Sequence, residues 1–98
     1  MDEHLWKCVL EKLVKSLSTN WKELFRELDN SDMLEQEQMI RTIQYIHRYN
    51  LQDQVRCSLV YLKFNNSKHA ILDIIQGLKS CKQMYLAEKI EDIVCKDI

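Results

Sequence analysis

The sequence predicts an all-α fold, a six-helix antiparallel bundle, and three observations carry that reading. The chain has no Pro and a single Gly in 98 residues, so it lacks the turn residues that strands and hairpins need. Apolar residues recur at helical spacing from one end to the other. Short polar breaks separate the periodic stretches, several opening on a residue that caps helices well. A chain of this length makes one domain, residues 1–98, with one core.

The first helix spans about 3–17, with Leu5, Trp6, Val9, Leu10, Leu13, Val14 and Leu17 on its apolar face. Ser18-Thr19-Asn20 breaks it, and Asn20 with Glu23 three residues on reads as a capping box. The second helix, about 20–28, buries Trp21, Leu24, Phe25 and Leu28. Asp32 with Glu35 repeats the capping pattern and opens a third, about 33–48, periodic through Met39, Ile40, Ile43 and Ile46. Its start, Glu35 to Gln38, is polar all round. His47 near its end reads as a surface histidine.

Asn50 with Asp53 opens the fourth helix, about 51–64, with Leu51, Val55, Leu59 and Leu62 inward and Gln52, Arg56 and Lys63 outward. The fifth, about 67–80, has Ser67 as its N-cap and the widest apolar stripe of the chain: Ala70, Ile71, Leu72, Ile74, Ile75 and Leu78. It is the expected central helix. Gly77 lies within that stripe at a cost of about 1 kcal/mol relative to Ala, which implies close approach of a neighbouring helix. Cys81-Lys82-Gln83 is a weak break before the sixth, about 83–96, with Leu86, Ala87, Ile90, Ile93 and Val94 inward.

The chemistry that composition excludes is as useful as the fold. No apolar run reaches the roughly 20 residues of a membrane span, and Asp2, Glu3 and His4 stand where a signal peptide would be basic. A net charge of −1 argues against general nucleic-acid binding. Cys8, Cys57, Cys81 and Cys95 are widely spaced, without a C-x-x-C pair, and read as reduced thiols of a cytosolic protein. His4 and Cys8 supply half a zinc site with no second pair of ligand spacing, so no metal is expected. Neither a phosphate loop, nor G-x-S-x-G, nor H-E-x-x-H occurs, and no spacing sets a base beside a nucleophile. No enzyme and no cofactor are expected.

Charge placement remains. Residues 20–37 carry Glu23, Glu27, Asp29, Asp32, Glu35 and Glu37 against Lys22 and Arg26, while residues 56–82 carry Arg56, Lys63, Lys68, Lys79 and Lys82 against Asp73. These are either solvated faces or two complementary patches that dock like modules onto one another.

Three segments resemble a known family. Asn20-Trp21-Lys22-Glu23-Leu24-Phe25-Arg26-Glu27-Leu28 resembles the second helix of death domains, Asp-Trp-x-x-Leu-Ala-Arg-x-Leu. Asn50-Leu51-Gln52-Asp53-Gln54-Val55-Arg56-Cys57-Ser58-Leu59 resembles their fourth, Asn-Leu-x-x-x-Val-Arg-x-Ser-Leu, and Leu78-Lys79-Ser80-Cys81 the Leu-Arg-Ser-Cys that ends the fifth. In order and spacing the likeness runs over about residues 5–95 and is nearest to the Fas-associated adaptor type. Leu62 stands where that pattern often has Trp, and the third-helix region is several residues longer, which implies a divergent member, an invertebrate adaptor of the Fas-associated or immune-deficiency type. The Arg-x-Asp-Leu of a death effector domain is not found at Leu86–Ile90.

The resemblance implies a non-enzymatic, cytoplasmic adaptor module of apoptotic or innate immune signalling. Its partners would be other death-domain proteins (receptor, kinase or adaptor), with self-association, and without nucleic acid or membrane insertion. Arg56 matches the family arginine of the fourth helix; Lys22 and Arg26 match basic positions of the second. Gln52, Lys63, Asn66, Lys79 and Lys82 join the expected partner-binding residues by location. The alternative is a small DNA-binding domain of helix-turn-helix type.

Overall fold

The computed structural model describes residues 3–65 and 69–96. Six α-helices follow one another: α1 Glu3–Ser16, α2 Trp21–Leu28, α3 Met33–Ile46, α4 Leu51–Asn65, α5 Ala70–Ser80 and α6 Met84–Lys96. A 3-10 turn, Ser18–Asn20, sits between α1 and α2. α1 lies against α4 and α6, α2 against α4 and α5, and α5 against α6, while α3 touches α4 and α2 at the periphery.

The fifth helix is central, as its stripe requires: Ala70, Ile71, Ile74, Ile75, Gly77 and Leu78 are buried. A methyl group at Gly77 would meet Leu24 Cδ1 at 2.8 Å and Leu28 Cδ2 at 3.0 Å, so α2 approaches α5 at the one residue without a side chain. Trp21 is 1% exposed and meets Phe25 edge-on at 6.4 Å, and Phe25 in turn lies 5.7 Å from Tyr61. Trp21 Nε1 has no hydrogen-bond partner among the described residues, so within them this ring is held by its apolar body.

Local chemistry sets the helix ends, and of the four capping expectations two hold, one fails and one lies outside the described residues. The Asp32 carboxylate accepts the Glu35 N–H at 2.9 Å, and the Asn50 side chain accepts the Asp53 N–H at 3.1 Å. Asn20 does not cap α2: its backbone is already helical (φ −65°, ψ −9°) because the 3-10 turn runs straight into the helix. A capping side chain needs the extended backbone that Asp32 adopts. Ser67, the expected cap of α5, lies outside the described residues; His69 precedes the helix without a side-chain cap bond.

Three apolar residues expected inward are exposed: Ile46 (63%), Leu51 (37%) and Leu72 (60%). Ile46 is the last residue of α3 and Leu51 the first of α4, so both sit at the corner where one helix gives way to the next. Leu72 lies on the side of α5 turned from the packed stripe. Two buried polar side chains in α4 are satisfied by backbone carbonyls: Gln54 donates to His47 O (3.2 Å) and Ser58 to Val55 O (2.8 Å).

Candidate functional site

The charged residues singled out in the sequence do not form one open basic face, because most are engaged within the molecule. Arg56 Nη1 donates to Glu11 Oε1 of α1 at 2.7 Å, and its side chain is 40% exposed. That hydrogen bond, with the guanidinium charge behind it, holds the Glu11 carboxyl below the ordinary glutamate range. Lys63 pairs with Glu3 at 3.3 Å and lies 5.2 Å above the Trp6 ring. Both bridges join α4 to α1, running in opposite chain directions, so Arg56 and Lys63 line one helix–helix seam. Gln52, exposed, lies one turn before Arg56.

Elsewhere the pattern repeats. Lys79 pairs with Glu91 of α6 at 3.0 Å. Arg26 reaches Glu37 of α3 at 2.9 Å and Glu23 of its own helix at 3.2 Å, and Glu37 is held below the usual carboxylate range by that hydrogen bond to Arg26. Lys22, half-buried on α2, has no carboxylate within ion-pair distance among the described residues. Asn66 and Lys68 lie outside the described residues.

Lys82 is the odd one. Gln83 N donates to Leu78 O (2.8 Å) and Lys82 N to Lys79 O (3.2 Å), the bond pair that closes a helix with a left-handed residue. Lys82 takes that position with φ 63°, where Gly would sit without strain. It is exposed in the α5–α6 loop, a cation held at a fixed point by its own backbone.

The acidic stretch divides likewise. Glu27, Asp32 and Glu35 are exposed, whereas Asp29 is buried and accepts the Ser31 hydroxyl at 3.4 Å. Gln36, in the turn that reads as polar all round, donates to Asp29 O (2.6 Å) and Arg26 O (3.3 Å). It fastens α3 to the carbonyl end of α2.

One group escaped the sequence reading. Arg48 lies 4.9 Å from the Tyr49 ring centroid and 5.8 Å from that of Tyr45, and the two rings with Ile46, His47, Asn50 and Asp53 line a recess at the α3–α4 corner. The signal was present in the run Tyr45-Ile46-His47-Arg48-Tyr49, an arginine interleaved with aromatics.

All four cysteines are free thiols; burial pushes Cys57 and Cys81 upward in pKa. Cys8 Sγ lies 3.8 Å from His4 Nε2, and among the described residues no three His, Cys, Asp or Glu side chains converge as a metal cage. No helix of the described residues is long and apolar enough to cross a membrane.

The result is a bundle of six helices with the fifth buried at its centre and ion pairs at the helix seams. A family model described as the death domain matches residues 7–94. No curated protein matches the chain. The chain belongs to the death-domain family, whose members are non-catalytic protein-interaction modules of signalling that bind other death-domain proteins.

Proposed function

We propose that this death domain is the interaction module of a cytoplasmic adaptor, of the Fas-associated or immune-deficiency type, that assembles apoptotic or innate immune signalling complexes without catalysing a reaction. Its partner contacts are led by Arg56, with Gln52 and Lys63 beside it on α4, and are completed at separate places by Lys22 and Arg26 on α2, Lys79 and Lys82 at the α5–α6 end, and Asn66 by its place in the sequence. The observation that carries this is Arg56. It matches the family arginine, yet its bond to Glu11 uses one of five donors, and two-fifths of the side chain stays open to solvent. A partner carboxylate can therefore add to the pair without breaking it. Lys82 supports the same reading, because a lysine kept in a backbone conformation that favours Gly is a place where stability yields to a surface charge.

The DNA-binding alternative has less to stand on. Arg56, Lys63 and Lys79 are neutralised by carboxylates, and the net charge is −1.

The test is binding to a panel of purified death domains from receptors, kinases and adaptors. Arg56→Gln should fold and melt as the wild type and lose about 2–5 kcal/mol of binding, the effect of removing a desolvated interface charge. A second variant, Glu11→Arg with Arg56→Glu, keeps the bridge to α1 but inverts it. It should fold and still fail to bind. Wild-type affinity in either variant would place the partner elsewhere.

A further inference from the structure

The half metal site legible in the sequence has the geometry of one in the structure. His4 and Cys8 stand one turn apart on α1, both exposed, and side chains at that spacing lie one above the other on a helix. Cys8 Sγ lies 3.8 Å from His4 Nε2, so the two donor atoms already converge. In a tetrahedral zinc site, bonds of about 2.3 Å to sulfur and about 2.0–2.1 Å to nitrogen set those atoms about 3.6 Å apart. The helix beneath them is anchored: Trp6, Val9, Leu13 and Val14 are buried, and α1 packs on α4 and α6. The pair is presented outward from a firm support, which lowers the ordering cost of binding. Cys95, the other exposed thiol, differs. At helical spacing before it stand the carboxylates Glu91 and Asp92, and Glu91 is held by Lys79.

What one copy lacks is the other half. Among the described residues no three His, Cys, Asp or Glu side chains converge on a metal. Bound to one His–Cys pair, Zn²⁺ would keep two open positions and an uncancelled charge, whereas a closed structural site takes four protein ligands. Two copies supply them. We infer that two copies of this domain hold one zinc ion between their α1 helices, through His4 Nε2 and Cys8 Sγ of each. Each thiol gives its proton to solvent as its Zn–S bond forms, and the two thiolates together cancel the dication. Thiolate and imidazole ligands select zinc over magnesium or calcium. Because both copies use the same pair, the contact is isologous and closes at a dimer. Neither ligand belongs to the partner contacts proposed above, so this inference does not rest on the adaptor reading.

Cobalt titration of the domain under a phosphine reductant tests it, since tetrahedral Co²⁺ reports its ligands by absorption. Strong visible bands and a thiolate-to-cobalt charge-transfer band should grow to an endpoint of one metal per two chains, and zinc should displace the cobalt. Sedimentation velocity should show a gain in dimer over the metal-free protein at the same endpoint, removed by a chelator. Cys8→Ser should lose the charge-transfer band, and both Cys8→Ser and His4→Gln should lose the metal-dependent dimer. Both positions are exposed, so circular dichroism and melting of the metal-free variants should match the wild type. Cys95→Ser should bind metal and dimerise as the wild type does, and magnesium should produce no dimer. Arg56→Gln should also keep the metal-dependent dimer, which separates this site from the death-domain contacts. An endpoint of one metal per chain, a weak octahedral spectrum, or a metal-dependent dimer that Cys8→Ser retains would each overturn the inference.

Discussion

Helices α5 and α3 are held in the same bundle by different forces. α5, eleven residues long, buries six of them and touches α6, α2 and α4. α3, fourteen residues long, buries only Ile40 and Ile43. Apolar packing fixes α5. A polar latch fixes α3: the Arg26–Glu37 ion pair, the Gln36 bonds to two α2 carbonyls, and the Asp32 cap. Burial is worth more than exposed polar contacts, so the two helices differ in local stability, with α3 drawn from the weaker end. A helix that spends few apolar residues on the core leaves others at the surface, and the Tyr45–Tyr49 corner and the Met33–Leu34 end are both exposed.

Paired substitutions sharpen that contrast. Leu78→Ala in α5, at a side chain with no exposure, should cost about 2–5 kcal/mol. Set against a total of about 5–15 kcal/mol for a domain, that is a large fraction. Ile46→Ala, the loss of a similar side chain at the α3 corner, should stay within about 0.5 kcal/mol. Urea titrations of both read the difference directly. Equal losses would mean that α3 packs as tightly as α5.

Next in size is Gly77→Val. The added carbons would enter space already held by the Leu24 and Leu28 side chains, with the first at 2.8 Å from Leu24 Cδ1. Overpacking of this kind costs about 1–3 kcal/mol. A melting temperature equal to the wild type would show that α2 can withdraw from α5, and the close-approach account of Gly77 would fail.

The same contrast explains what could be read from the sequence. The α5 stripe and Gly77 were legible because helical periodicity alone says which side is buried, and burial is what organises that helix. Asp32 and Asn50 were legible as caps because a cap acts within three residues. Asn20 was not, since whether it is extended or helical depends on the 3-10 turn before it. Ile46, Leu51 and Leu72 fit the period yet face solvent, because periodicity cannot say whether a neighbour lies opposite. Among the charges, Arg56, Lys63 and Lys79 read as a free basic patch. Their carboxylates are 45, 60 and 12 residues distant, contacts that only the packed helices create. The Arg48 corner was written in adjacent letters and still passed over, since aromatics in a helical sequence read first as core.

A smaller effect, and of the opposite sign, is expected at the C-terminal end of α5. Lys82 holds φ 63° with a full side chain. Lys82→Gly should relieve that strain and raise stability by about 0.5–1 kcal/mol. Any loss of death-domain binding in this more stable variant would then belong to the missing charge, a separation of fold and function that few positions allow.

The smallest effect lies in the latch of α3 and is best seen against pH. The hydrogen bond to Arg26, and then its charge, hold the folded-state pKa of Glu37 below its unfolded value. The contribution of the pair is therefore complete above the ordinary glutamate range and is lost as pH falls through the lower, folded-state value. Hydrogen exchange, corrected for the intrinsic rate at each pH, should show the α3 amides loosening in that acid window while those of α5 stay protected. Glu11 titrates in the same direction under Arg56, so acid also weakens the α1–α4 seam, and pH alone does not isolate the latch. Glu37→Gln does. At neutral pH it should loosen α3 to about the acid level and leave α1 and α4 unchanged, and lowering the pH should then add little in α3. If the amides of that variant still open over the same pH window, a carboxylate other than Glu37 sets the acid response of α3, and the Arg26–Glu37 pair is not the part of the latch that matters.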